Sequence, residues 1–490
     1  MRGTGESHSD SRGSRSGSRA VHNDSVPSLT TFRGSGRPRL AALRPALLER
    51  LRRAAPGVLA WAAALALVAR LVLRYLTNPS DQRMVDLDVY RTGGVSLLHG
   101  QPIYHMLTQA PQLLPFTYPP IAAVFAVPLA MMSWPAAQMV WLAFIYVPLA
   151  VTIWYAFRPL LGIDPGGRPP GTPRTVGAGG RPLATPGVCA GRYAPVVYAG
   201  LFAVCAYLFP MRDEMRFGQV DILLVALCVA DCAAVSPRWP RGALVGLATA
   251  VKLVPGVFII YLWITGRRRA AATAAASAAA WTLGAFALLP RDSLYYWTNA
   301  IFDSNRLGSN TGTSNQSLRG ILLRLFLPSA APGALWLVAA IVVAATGFVV
   351  ARRMARTGGE IAGVAVTGLL AVLLSPVAWI HHLAWVVVVI GAVVGDGRDR
   401  RRLAAAVAII VFYTVTLPWW GLSLMKVGWL PKVAGRIVQS SFGLGAIALI
   451  PVVAWAHRRG VASADAAAPG GPSTAVPPGN EKKTQVRSAI

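Results

Sequence analysis

The side chains able to do chemistry in this chain lie in short polar stretches set between long apolar ones. The stretch MVDLDVYRTGGVSLLHGQPIYH (84–105), continuing to LPFTYPP (114–120), carries Asp86 and Asp88 two residues apart. Val85, Leu87 and Val89 alternate with Asp86, Asp88 and Tyr90, and Val95, Leu97 and Leu98 predict a short amphipathic helix on a membrane surface. A carboxylate just beyond a membrane helix stands where a lipid-borne substrate presents its head group. Equally, Asp86 or Asp88 caps that helix or pairs with Arg83 or Arg91.

The stretch DSLYYWTNAIFDSNRLGSNTGTSNQSLRGILLRLF (292–326) is aromatic and dense in amides and hydroxyls. Polyhydroxyl ligands need directed hydrogen bonds together with aromatic faces, and Tyr295, Tyr296, Trp297, Asn310, Asn315, Gln316 and Ser317 supply both. The alternative is an ordinary loop at the membrane interface, where Trp and Tyr are enriched in any case. Asn315-Gln316-Ser317 also matches the acceptor pattern for N-glycosylation, which is common by chance.

Lys252 interrupts the apolar run LVGLATAVKLVPGVFIIYLW near its middle. A cation there costs at least about 2.5 kcal/mol unless it faces water, a cavity or a partner. A lipid phosphate is one such partner, and a carboxylate on a neighbouring helix, Asp221 or Asp231, is another. Pro255, three residues on, loosens the helix. In LLSPVAWIHHLAWVV (373–387) His381 and His382 follow Trp379. Adjacent histidines on a helix point to different sides, so a shared zinc is not expected; one faces the cavity as hydrogen-bond donor or proton carrier, and the other anchors at the interface. Gln219 in FGQVD (217–221) reads as a helix-end hydrogen bonder.

The elements that must position these residues are membrane helices. The chain is 54% hydrophobic and 13% charged, which no ordinary soluble domain matches. Runs long enough to cross a bilayer begin at 56–76 and recur near 119–133, 135–157, 194–210, 219–235, 242–265, 270–289, 334–351, 361–377, 380–395, 403–420 and 437–457. The expected architecture is therefore all-α integral membrane, a bundle of about 12 transmembrane helices with two major external loops, 77–118 and 290–333. The Arg-rich clusters at 267–269, 352–353 and 400–402 then fall on the cytoplasmic side, as does the N-terminus. The Pro/Gly-rich loop 158–193 is basic and breaks that alternation; a re-entrant hairpin over 242–265, with one segment of 119–157 failing to cross, repairs it. Residues 1–53 read as a disordered basic cytoplasmic tail, 54–457 as the membrane domain and 458–490 as a second disordered tail. The net charge of +28 is spread over tails and loops, which suits anchoring at a membrane and not nucleic acid. Cys189, Cys205, Cys228 and Cys232 lack metal-ligand spacing and read as packing residues.

Taken in order, VDLDVYRTGG with HGQPIY, FTYPP, FGQVD, ATAVKLVP, TSNQSLRG and LSPVAWIHH form a pattern that resembles the actinobacterial polyprenyl-phosphate-mannose-dependent alpha-1,2-mannosyltransferases of the C-type glycosyltransferase superfamily. The resemblance covers roughly 55–457. It implies a C-type glycosyltransferase-like bundle at the cell membrane whose first external loop holds the catalytic aspartate, Asp86 with Asp88 as its neighbour, and whose other motif positions are Lys252, Asn315, Gln316, Ser317, His381 and His382.

The mechanism implied is inverting transfer from a polyprenyl-phosphate-mannose donor to a glycolipid or lipoglycan acceptor. The leaving lipid phosphate is already a stable anion, so the site needs a base for the acceptor hydroxyl and cationic or hydrogen-bonding groups for the phosphate. Asp86 is the expected base. Lys252, Arg319, His381 and His382 are expected to hold the phosphate or relay the proton, with Tyr90, Tyr118, Asn315, Gln316, Ser317 and Trp379 binding substrate. No cofactor is expected to be required, and nothing in the sequence assembles a metal site. A lipid-linked-sugar flippase is the rival from another class, but no internal repeat is found and the polar content is skewed to two loops on one side. A transferase of another sugar such as arabinose is the rival within the class.

Overall fold

The computed structural model describes residues 37–79, 82–163, 191–325, 331–426 and 428–466. Over these the protein is all-helical, 77% helix with no strands, and the only pairing of extended backbone is an isolated bridge between Leu107 and Pro115. Five described helices are long and apolar enough to cross a membrane: Arg52–Leu76, Trp134–Ala156, Arg268–Leu288, Gly333–Arg356 and Ser441–Ser463. Two bent pairs, Ala194–Tyr207 with Phe209–Phe217 and Arg400–Thr414 with Leu417–Leu424, raise the number to seven if each is one span. Shorter apolar helices, Pro120–Ala130, Val254–Ile264, Glu360–Leu374 and Ile380–Val394, lie where further crossings are expected but are each too short to span a bilayer alone, so five to seven spans are counted among the described residues and not about 12.

Residues 1–53 and 54–490 form two separate compact units. In the first, residues 1–36 lie outside the described residues, and the helix Arg37–Leu76 begins within the segment expected to be a structureless tail. At the other end the helix Ser441–Ala466 runs past the expected boundary at 458, and 467–490 lie outside the described residues. So do Cys189 and most of the basic loop 158–193, of which Arg158–Leu161 forms a short helical turn. Cys205, Cys228 and Cys232 are free and buried, as packing residues should be.

At the centre of the second unit are Glu360–Leu374 and Val386–Val394, buried almost all round. A helix apolar on every side is stable only when other helices or lipid enclose it. Outer helices do the reverse: Gly333–Arg356 turns Leu335, Leu337, Val338, Ile341 and Val342 outward, a face that belongs in hydrocarbon. Small residues bring backbones together, as where Gly242 and Gly246 lie directly against the Ala270 and Ala274 carbonyls.

The ends of the bundle differ in charge. At one end Arg267 pairs with Glu360 (2.9 Å), Arg459 pairs with Asp399 (2.6 Å), and the Thr357 hydroxyl bonds His457. The helices that start from this basic end, or finish at it, have their other termini beside Ser375 and Trp385. Those termini border the polar stretches of the sequence.

Candidate active site

The short helix predicted from Val95, Leu97 and Leu98 forms, but it begins already at Val85, taking in the alternating stretch 85–90, and it is docked into protein. It starts from Met84, which is in left-handed conformation (φ 48°) and donates its N–H to the Arg216 carbonyl at 3.0 Å. Gly218, at φ 70°, has no room for a side chain against Leu87 and Met84, so only glycine lets the two chains approach this closely. Farther along, Gly94 meets the Ala126 carbonyl. Leu87, Val89 and Tyr90 are buried, whereas Asp86 opens onto a cavity.

That cavity has a volume of about 500 Å³, within the range of small-molecule sites, roughly 300–1,000 Å³. Asp86, Tyr118, Gln219, Lys252 and His382 line one part of it; Tyr296, Asp303, Asn305, Arg306 and Trp379 line another. Asp88 does not line it; its carboxyl is raised above the ordinary range by burial, with Arg91 and Thr92 opposing.

Gln219 organises the floor. The Tyr90 and Tyr118 hydroxyls, 2.8 Å apart, each lie 3.0 Å from Gln219 Oε1. With its oxygen so engaged, the Gln219 amide donates to Asp86. Burial pushes the Asp86 carboxyl up to about 7, although the Gln219 bond and Lys252 favour its ionised form; Asp213 and Asp221 add repulsion. A carboxylate so poised accepts a proton well near neutral pH.

Lys252 sits where the helix Ala243–Val251 stops and the backbone turns extended. Pro255 has no N–H for the Val251 carbonyl, and the helix resumes only at Val257–Ile264. Of the two carboxylates offered by the sequence, Asp221 takes the lysine, with Nζ 2.9 and 2.8 Å from its oxygens. Asp231 instead caps Ala243–Val251, accepting from the Gly242 and Val245 amides. His382 Nε2 lies 2.8 Å from Nζ, so three acceptors meet the three N–H donors of the ammonium.

The histidines correct the expectation that they diverge. They lie in a 3₁₀ segment, Ile380–Trp385, not at the start of an α-helix, and the rings are 4.8 Å apart, nearly perpendicular. The Nε2 atoms of His381 and His382 stand 3.9 and 3.7 Å from Asp221 Oδ2, and His381 Nδ1 is 3.5 Å from Asp213. Asp221, His381 and His382 bring ligand atoms within 4.8 Å of one another, the one such group of metal-binding side chains among the described residues. The Lys252 ammonium already stands against both Asp221 oxygens and His382, so a metal could enter only by displacing it.

Asn315, Gln316 and Ser317 are completely buried and do not face the cavity. Asn315 Oδ1 accepts from the amides of Ser317 and Ala378 and from the Ser317 hydroxyl. Gln316 donates to the Thr313 and Gln439 carbonyls, accepts from the Gly443 amide and bonds the Ala378 carbonyl through its own N–H. Ser317 caps the helix Leu318–Leu323 through the Gly320 amide. These residues brace the segment leading to Trp379 and the histidines. Arg319 is spent on the Ser304 hydroxyl at 3.0 Å and is likewise absent from the lining.

Sequence reasoning missed Asp213 and Glu214 and underrated Gln219. The signal was MRDEMRF, a charged island between apolar spans, which folds as Phe209–Phe217 with both carboxylates buried. Glu214 accepts from the Ile222 amide at 2.8 Å and so fixes the start of Asp221–Ala233.

A helical membrane scaffold that closes a polar cavity over one poised carboxylate is the build of an enzyme working on a lipid-linked substrate, and the chain belongs to glycosyltransferase family 87, whose model matches residues 116–376. Asp86, His381 and His382 lie outside that matched segment. The chain is 33% identical over 350 residues, 68% of its length and 76% of the relative's, to a polyprenol-phosphate-mannose-dependent alpha-(1-2)-phosphatidylinositol mannoside mannosyltransferase of Mycolicibacterium smegmatis. A Mycobacterium tuberculosis protein of the same description is 33% identical over 347 residues, 70% of this chain and 77% of the relative. A phosphatidylinositol pentamannoside mannosyltransferase of Mycobacterium tuberculosis is 32% identical over 359 residues, 72% of this chain and 76% of the relative. No solved structure matches the chain.

Proposed function

We propose that this protein transfers mannose from a polyprenyl-phosphate-mannose donor to a phosphatidylinositol mannoside or related lipoglycan acceptor. The new linkage is alpha-1,2 and forms with inversion, in a C-type bundle of about twelve crossings in the plasma membrane. The observation that carries the reading is the Asp86 carboxyl, poised near neutrality on a cavity wall, in a chain whose relatives use this donor. The basic end of the bundle faces the cytoplasm and the cavity faces outward, following the charge asymmetry of the helix ends.

In the reaction the acceptor hydroxyl oxygen attacks the anomeric carbon and its proton passes to Asp86. The bond from that carbon to the phosphate oxygen breaks, and its electron pair leaves with the lipid phosphate. Gln219, held by Tyr90 and Tyr118, orients the Asp86 carboxylate. Lys252 offsets Asp221 and draws His382 into the wall, leaving no N–H for a phosphate. Phosphate binding therefore falls to Arg306, which lines the cavity from the second loop and has no carboxylate within ion-pair distance among the described residues. Its Nη2 bonds the Tyr104 carbonyl at 2.8 Å, while Nε is buried without a partner. Tyr118, Tyr296 and Trp379 offer rings to the sugar. The chemistry needs no resident cofactor.

The test is transfer by purified protein from radiolabelled polyprenyl-phosphate mannose to phosphatidylinositol mannoside acceptors, with polyprenyl-phosphate arabinose as competing donor. Labelled alpha-1,2-mannosyl product is expected. Lipid scrambling without transfer from any lipid-phosphate sugar would overturn the reading.

A further inference from the structure

Two arginines at the cavity end of the bundle have no task in the transfer reaction. Arg70 and Arg74 lie one turn apart on the helix Arg37–Leu76, both exposed, and neither guanidinium has a hydrogen-bond or ion-pair partner among the described residues. With Leu76 as the last residue, Arg70 sits about 9 Å inside the helix end at 1.5 Å per residue. The two border a groove of about 490 Å³ whose remaining lining is Leu67, Leu71, Ala203, Val204 and Tyr207. The Tyr207 hydroxyl donates to the Leu67 carbonyl at 2.9 Å and ties the two walls together.

The usual reason for arginines beside a membrane span does not apply to this pair. Basic clusters collect at the opposite end of the bundle, where Arg268, Arg352 and Arg356 share another groove. Leu76, by contrast, accepts from Arg83 at 3.0 Å, and Met84 and Asp86 follow at once. Arg70 and Arg74 therefore stand at the end that carries the reaction cavity. A guanidinium on a lipid-facing surface is costly without an anion or a route to water, and one aliphatic groove with two uncompensated guanidinium groups at its rim matches a lipid chain and its phosphate.

We infer that the groove between Arg52–Leu76 and Ala194–Tyr207 is a binding site for an anionic diacyl phospholipid of the leaflet the cavity faces, with its phosphate held between Arg70 and Arg74. The site adjoins both elements that set the reaction geometry. Leu76 leads through Arg83 to Asp86, and Tyr207 leads into Phe209–Phe217, which carries Asp213 and Glu214. Lipid in the groove braces both.

Native mass spectrometry of the purified full chain, titrated with phosphatidylglycerol or phosphatidylcholine, tests the site. One tightly retained phosphatidylglycerol per chain is expected. The Arg70→Gln/Arg74→Gln double variant should lower the preference for phosphatidylglycerol roughly ten- to thirtyfold, and Arg352→Gln/Arg356→Gln at the other end should leave that first lipid in place. Equal loss in both double variants would reduce the effect to general charge and overturn the site, as would an undiminished preference in Arg70→Gln/Arg74→Gln. Substituting phosphatidylinositol for phosphatidylglycerol should give the same retention, because both present a phosphate with no head-group cation to compensate it, as the choline of phosphatidylcholine does, and the head-group alcohol is not recognised; retention of phosphatidylinositol alone would overturn that assignment. Neither measurement depends on transfer, so failure here leaves the mannosyltransferase reading standing.

Discussion

The helix Val85–Leu98 and the segment 315–317 offer similar raw material, polar side chains in stretches set between apolar helices, yet the fold uses them in opposite ways. Asp86 keeps its acceptor oxygens at a cavity, and among the described residues the Gln219 amide is the one side chain bonded to it. Asn315, Gln316 and Ser317 have almost every donor and acceptor committed to backbone groups of Thr313, Ala378, Gln439 and Gly443. Polar residues in a functional stretch thus divide by whether their hydrogen-bonding capacity is already spent. Spent groups shape the site, and unspent ones touch the substrate.

The sharpest break of this contrast is Asp86→Asn, which keeps the shape and removes the base. Transfer should fall by about 10²–10⁴, the usual contribution of a positioned general base, with donor binding little changed. Near-normal turnover would move the base elsewhere. Next comes Asn315→Ala, where the damage should appear as stability: the buried amides of Ser317 and Ala378 lose their acceptor, at about 1–3 kcal/mol each. The expected signature is a lowered unfolding temperature in detergent with an unchanged donor KM in the protein that stays folded; a raised KM at normal stability would make Asn315 a sugar ligand after all.

Acidity offers a milder probe of the same contrast. A carboxyl raised to about 7 is protonated below that pH and cannot accept the acceptor's proton, so kcat/KM should rise about tenfold per pH unit up to 7 and level off above it. A rate already flat at pH 5 would show Asp86 ionised throughout and the base assignment misplaced. The smallest effect belongs to Asp88→Asn. Lying off the cavity near Arg91 and Thr92, it should change stability by no more than about 0.5 kcal/mol and leave the pH profile where it was.

Much was legible in the sequence because its signals are local. Apolar run lengths announce membrane helices, and Val95, Leu97 and Leu98 announce a short helix after Asp86, although the period-2 alternation at 85–90 does not show that the helix already begins at Val85. Pro255 announces the break beside Lys252, because a missing N–H acts on its own turn. The ordered motifs carried the family, which the comparison with known proteins bears out.

What the sequence left open were matters of partner and direction. It offered Asp221 and Asp231 equally to Lys252, and the fold gave Asp231 to the amides of Gly242 and Val245. It separated His381 from His382 on helical spacing, whereas a 3₁₀ turn brings both toward Asp221. It could not tell an amide facing a sugar from one facing Ala378, 63 residues away. Propensity, run length and proline geometry act within a turn or two of the residue that carries them. Burial and hydrogen-bond choice depend on which distant backbone the fold sets beside a side chain, and only the packed helices decide that.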